Sequence, residues 1–151
     1  MEGIHALNPV LTSLVPSGHV YRIYAGLREE YCQEGRRLIG TQDIRLCRRV
    51  LRDAATRGRS PEKTLAMWER VLDGETRYIK GFKNTADFLL DTAFTYELSV
   101  IAGLLPEVGR VMSPDSIYTE MWDETARRFE HVEPLSRELI PEEAMLREFY
   151  R

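Results

Sequence analysis

Six arginines fall between residues 43 and 59, in the stretch DIRLCRRVLRDAATRGR: Arg45, Arg48, Arg49, Arg52, Arg57 and Arg59. The guanidinium group stays charged at physiological pH, and its planar fork matches phosphate and carboxylate oxygens with paired donors. At about 100° per residue, Arg45, Arg48, Arg49 and Arg52 share one face of a helix, at i, i+3, i+4 and i+7. Cys47, Val50, Leu51, Ala54 and Ala55 fall on the other face. Like charges at this spacing repel by about 0.2–0.5 kcal/mol per pair, a small penalty that a bound anion would remove. The chemistry this pattern suits is the gripping of a phosphate-bearing molecule.

The charge balance points the same way. The chain of 151 residues carries 21 basic and 24 acidic residues, net −3. Residues 43–59 hold six Arg against Asp43 and Asp53, net +4, and the remainder is net −7. A basic stripe on an acidic protein reads as a local anion site and excludes the broad basic surface of a nucleic-acid binder. The same stripe also suits a solvated helix face in a chain that draws 18 of its 21 basic residues from Arg, and spacing does not choose between the two.

The elements that must hold these residues follow in order. Residues 2–7, EGIHAL, read as the tail of a buried strand, and Asn8-Pro9 as a turn. Val10–Val15 is a short apolar piece closed by Pro16-Ser17-Gly18. Residues 20–24, VYRIY, alternate and predict a strand. Residues 27–34 predict helix or turn, and 35–40 a loop. Thr41 or Asp43 caps the arginine helix, which Gly58 ends. Ser60-Pro61-Glu62 starts a second helix, with Leu65, Trp68, Val71 and Leu72 as its apolar stripe, continuing toward Tyr78. Residues 81–84 predict a loop and 86–90, ADFLL, a short buried strand. Tyr96–Leu105 reads as an apolar helix stopped by Pro106. A helix from Ser113-Pro114 carries Ile117, Tyr118, Met121, Trp122, Thr125 and Phe129 on one side, and Pro141 opens a last short helix.

Helices outnumber strands, and two or three isolated strands make a poor core. The prediction is an α-rich domain or part of a larger α/β fold, without a convincing internal boundary. Cys32 and Cys47 have no metal-like spacing and fit a reducing compartment. No basic-then-apolar leader is visible, and the most apolar run, 98–105, is too short to span a bilayer. A cytoplasmic location is expected. His5, His19 and His131 have no metal-like partners, and Trp68 and Trp122 read as core residues.

The stretch RLCRRVLRDAATRGRS resembles the lid segment of the phosphoribulokinase/uridine kinase family: an Arg pair, then Arg-Asp, then Arg-Gly-Arg. The following SPEKTLAMWERVLDGETRYIKGFKNTADFLLDTAFTYELSVI is similar to the region after the lid in bacterial uridine kinase-like proteins, and EGIHALNP and LREFY are similar to segments before the lid and near the end. The resemblance implies the C-terminal, lid-containing part of a P-loop kinase fold, with the lid at residues 43–60. It implies an ATP-dependent nucleoside (uridine or cytidine) kinase. Arg49 and Arg52 would contact the phosphates of ATP, and Arg57 and Arg59 would close over the transferred phosphoryl group.

The same resemblance shows what this sequence lacks. Such kinases hold the nucleotide with a P-loop, and no Gly-Lys dipeptide occurs in the chain. The P-loop half, the catalytic base and magnesium are expected from elsewhere, and the chain alone is expected to be inactive. Met67 stands where uridine kinases use a glutamine, and Gly81 where a proline is usual. The partners expected are a nucleotide or small phosphorylated ligand, the P-loop half, and a second copy of the chain, with neither nucleic acid nor membrane. The other reading is a non-catalytic α-rich module for anion binding or protein interaction that kept the lid arginines.

Overall fold

A computed structural model describes residues 2–150. Helix accounts for 52% of the chain and the strands are three or four residues long, so the fold is α-rich α/β as the sequence predicts. The chain divides into two compact units, Met1–Arg28 with Trp68–Thr92, and Glu29–Met67 with Ala93–Arg151.

The first unit contains β1 (Ile23–Gly26), a helix at Trp68–Tyr78 and a strand at Phe88–Asp91. The two strands pair in parallel, Ile23 opposite Phe88. The Asp87 and Asp91 carboxylates accept from the backbone N–H groups of Arg22 (2.7 Å) and Arg28 (3.1 Å), which fixes both ends of the pair. Residues 86–90 were expected to form a buried strand. The strand is present, but all four of its residues are exposed. Parallel strands are ordinarily covered on both faces, and here Phe88, Leu89 and Leu90 stand open with Ile23. The expected strand at 2–7 is replaced by turns around Gly3 (φ +115°), held by Ala6 and Asn8 N–H groups that donate to Gly3 and His5 carbonyls. The predicted strand at 20–24 lies three residues later, in β1.

The second unit begins with an antiparallel hairpin, β2 (Tyr31–Gln33) and β3 (Arg36–Ile39). The sequence predicted helix or turn and then loop here. Glu34 and Gly35 both have positive φ (51° and 76°), the geometry of a two-residue hairpin turn, and that turn pairs the flanking residues as strands. The arginine helix, α1, spans Thr41–Arg57. Its N-cap is Gly40 rather than Thr41 or Asp43; the Asp43 carboxylate reaches back to accept from the Gly40 N–H at 2.8 Å. Gly58 ends it in the left-handed conformation (φ 57°), where a Cβ would cost about 1–2 kcal/mol.

The predicted second helix is divided. α2 covers Pro61–Ala66, Met67 interrupts, and α3 is the Trp68–Tyr78 helix of the first unit. The strand at Phe88–Asp91 is thus β4. The apolar helix α4 runs from Glu97 to Val111, straight through Pro106, where the sequence predicted its end. A helix-interior proline costs about 3 kcal/mol. Leu104, Leu105 and Val108 are all buried around it, and burial of such side chains returns about 1.5–3 kcal/mol each. α5 begins at Thr119 rather than Ser113 and ends at Arg127, with 113–118 in turns. The expected last helix is a 3-10 turn at Met145–Glu148. α1 packs on α2 and α4, and α4 on α5, around Cys47, Val50, Val100, Ile101 and Trp122.

Candidate functional site

Arg49, Arg57 and Arg59 gather around one carboxylate, Asp53. Asp53 is fully buried and sits four residues after Arg49 and four before Arg57. Its Oδ1 accepts from Arg57 Nη1 at 2.8 Å, and its Oδ2 from Arg59 Nη1 at 3.3 Å and from the buried Thr64 hydroxyl at 3.2 Å. Arg49 Nε lies 3.9 Å from Oδ2. The Asp53 backbone carbonyl takes the N–H groups of Gly58 and Arg59, so the same residue ties down the turn that carries Arg57 and Arg59. Ser60 and Pro61 then start α2, whose first turn brings Thr64 to the carboxylate.

Three guanidinium groups therefore converge on one carboxylate, an excess of two positive charges. Arg57 keeps 48% of its side chain in solvent and Arg59 33%. Arg49 is held below the usual proton affinity of a guanidinium, first by burial, with Asp53 opposing and the charges of Arg52, Arg57 and Arg59 adding to the effect. The Nε of Arg49 makes no hydrogen bond although it is buried. This is a cluster with cationic donors to spare.

The remaining predicted arginines are placed differently. Arg48 does not share an open face with Arg49 and Arg52. It turns inward onto the buried carboxylate of Glu97 through Nε and Nη2, and the Tyr150 hydroxyl donates to the same carboxylate at 3.0 Å. Burial, then the charge of Glu97, pushes the Tyr150 phenol well above its ordinary range. Arg52 lies against Glu148, Nη1 to Oε1 3.9 Å, with its guanidinium over the Phe149 ring at 5.8 Å. Arg45 is half-buried and engaged in contacts of its own. The predicted four-arginine face is thus split among Glu97, Asp53 and Glu148. On the other face Cys47, Val50 and Leu51 are buried as expected, whereas Ala54 and Ala55 are exposed. Asp53 was findable from sequence, since it is the acid at i+4 from Arg49 and i−4 from Arg57. Glu97, Phe149 and Tyr150 arrive from distant chain and left no local signal.

A concavity of about 760 Å³ lies at the other end of α1, between the hairpin and α5. Its charges are mixed: Arg128 is bound to Asp43 and Glu124, and Arg37 to Glu30. No His, Cys, Asp and Glu cluster able to hold a metal ion occurs among the described residues. His5 is exposed in the first unit, its ring edge on Tyr78 at 5.2 Å. No helix among the described residues is long and apolar enough to cross a membrane.

Comparison with protein families adds one finding to this geometry. Residues 37–99 match the model of the Phosphoribulokinase / Uridine kinase family. Over that span the chain is similar to that family. The span includes most of β3 and all of α1, α2, α3 and β4, hence Arg49, Arg52, Asp53, Arg57, Arg59 and Thr64 together. It does not include EGIHALNP or LREFY, which also entered the sequence resemblance. No curated protein and no solved structure gave a significant match to the chain.

Proposed function

We propose that residues 43–60 are the phosphate-gripping lid of an ATP-dependent nucleoside kinase-like protein. The observation that carries this reading is the convergence of Arg49, Arg57 and Arg59 on the single buried carboxylate of Asp53, which leaves two guanidinium charges uncompensated at a solvent-accessible turn. Asp53 holds the arginines in register but does not neutralise them. A bound polyphosphate would take the exposed donors of Arg57 and Arg59 at the end to be transferred, and Arg49 and Arg52 would meet the nucleotide phosphates. In transfer, these donors would balance charge on the phosphoryl oxygens without needing to reorganise.

ATP supplies the phosphoryl group in such a reaction. The P-loop and the base would come from a further segment or partner. The open faces of the parallel pair β1–β4 fit such an addition and also fit self-association.

Calorimetric titration with ATP and with tripolyphosphate at about 50 mM salt tests the reading. Binding is expected, and Arg57→Ala or Arg59→Ala should weaken it by about 10-fold or more, since a hydrogen bond to a charged group contributes about 1.5–3 kcal/mol. Absence of binding, or binding indifferent to both substitutions, refutes it. A second reading, a non-catalytic anion-binding or interaction module, is favoured by the carboxylates already facing Arg48 and Arg52. Release of ADP from ATP with uridine or cytidine, once a P-loop-bearing segment is supplied, separates the two: the first reading expects it and the second does not.

A further inference from the structure

Residues 140–150 form a strap that meets α1 at Arg48 and Arg52. Ile140, Leu146 and Tyr150 are buried and anchor it. Arg147 closes its turn by donating from Nε to the carbonyls of Ile140 and Pro141, at 3.1 and 3.0 Å. Between the anchors Leu146 and Tyr150 come Glu148 and Phe149, and both meet arginines. The Phe149 ring centroid lies 5.2 Å from Arg48 Cζ and 5.8 Å from Arg52 Cζ. Glu148 Oε1 stands 3.9 Å from Arg52 Nη1.

The two contacts use different parts of the Arg52 guanidinium. Its central carbon lies over the Phe149 ring, as in cation–π contacts, and the Glu148 carboxylate stands near Nη1, a donor that a phosphate would use. The Nε of Arg52 is buried and makes no hydrogen bond. Glu148 is also 63% exposed. An ion pair that exposed and that long is weak, whereas a phosphate in hydrogen-bonding distance would be charge-assisted and shorter. Among the described residues, of the four arginines assigned to phosphate, Arg52 alone faces a carboxylate from outside α1.

We propose that Glu148 is a built-in stand-in for the ligand anion: it stands beside Arg52 Nη1, with Phe149 against the same guanidinium, and a bound polyphosphate must displace it. The strap then sets the affinity of the lid segment without itself leaving its seat, because Leu146 and Tyr150 remain anchored. This regulation rests on the phosphate reading above.

The test is titration of tripolyphosphate into the full chain at about 50 mM salt. Glu148→Gln should tighten binding by about two- to five-fold, the range given by an exposed ion pair. Glu143→Gln removes an exposed charge from the same segment and should change nothing. In an Arg52→Ala background the effect of Glu148→Gln should vanish. Equal affinity of Glu148→Gln and wild type, equal tightening by Glu143→Gln, or persistence of the effect without Arg52 overturns the proposal. Binding that Arg57→Ala abolishes while Glu148→Gln leaves it unchanged overturns this proposal alone. No binding by either wild type or Glu148→Gln overturns it together with the reading on which it rests.

Discussion

Replacing Asp53 by Asn changes charge and almost nothing else, and the structure makes its consequence calculable. The carboxylate is fully buried and receives Arg57, Arg59 and Thr64, with Arg49 at 3.9 Å. The amide keeps one acceptor oxygen but turns an NH2 group toward donors, and three guanidinium groups lose their shared counter-charge. Removing one partner of a buried pair costs about 3–5 kcal/mol. The lower end, about 3 kcal/mol, applies here because Arg57 and Arg59 remain partly in water and are screened. For a chain of this size about 1 kcal/mol corresponds to roughly 2–4 °C, so the melting temperature should fall by about 6–12 °C. Thermal melts followed by far-ultraviolet circular dichroism measure it directly. The variant also makes the anion site more cationic, so saturating tripolyphosphate should raise its melting temperature more than it raises that of wild type. A variant that melts within about 2 °C of wild type would show that Asp53 does not hold the cluster. A smaller tripolyphosphate shift in the variant would refute the charge excess as the source of binding.

Two further outcomes follow from packing and ionisation. A Cβ at Gly103 would stand 2.8 Å from the backbone oxygen of Leu135, so Gly103→Ala should destabilise by about 1–3 kcal/mol through overpacking; an unchanged melting temperature would contradict the close approach. Burial raises both the Cys47 thiol, from its ordinary 9.0, and the Tyr150 phenol, from its ordinary 10.0. Both groups stay neutral in the fold while the unfolded chain ionises, so their contribution is intact below pH 9 and declines above it, by about 1.4 kcal/mol per pH unit per group. Denaturant melts from pH 8 to 11 should show this loss, and Cys47→Ala should delay its onset toward pH 10.

Local signals were sufficient wherever one turn of chain decides its own conformation. Gly58, Ser60-Pro61 and the helical spacing of Arg45, Arg48, Arg49 and Arg52 against Cys47, Val50 and Leu51 announced a helix, its end and the next start, and all three are found. The content of arginine, and its excess over acid in residues 43–59, was equally plain. Signals failed where tertiary packing outweighed a local preference. Pro106 is carried inside α4 because the buried side chains around it offset its cost. ADFLL is a strand whose composition predicts burial, yet its cover is not among the neighbours it has. The hairpin at 31–39 depended on Glu34 and Gly35 adopting positive φ together, which the polar composition concealed.

By itself the sequence determined that a short helix would carry clustered guanidinium groups and end in an Arg-Gly-Arg turn, because spacing, caps and charge are properties of neighbouring residues. Only the tertiary structure decided which of those groups remain available. Arg48 is claimed by Glu97 from 49 positions away and Arg52 is met by Glu148, while Arg49, Arg57 and Arg59 share Asp53. The reason is physical: a guanidinium group's usefulness depends on the carboxylates within a few ångströms of it, and that distance is set by how remote segments fold back rather than by their order in the chain.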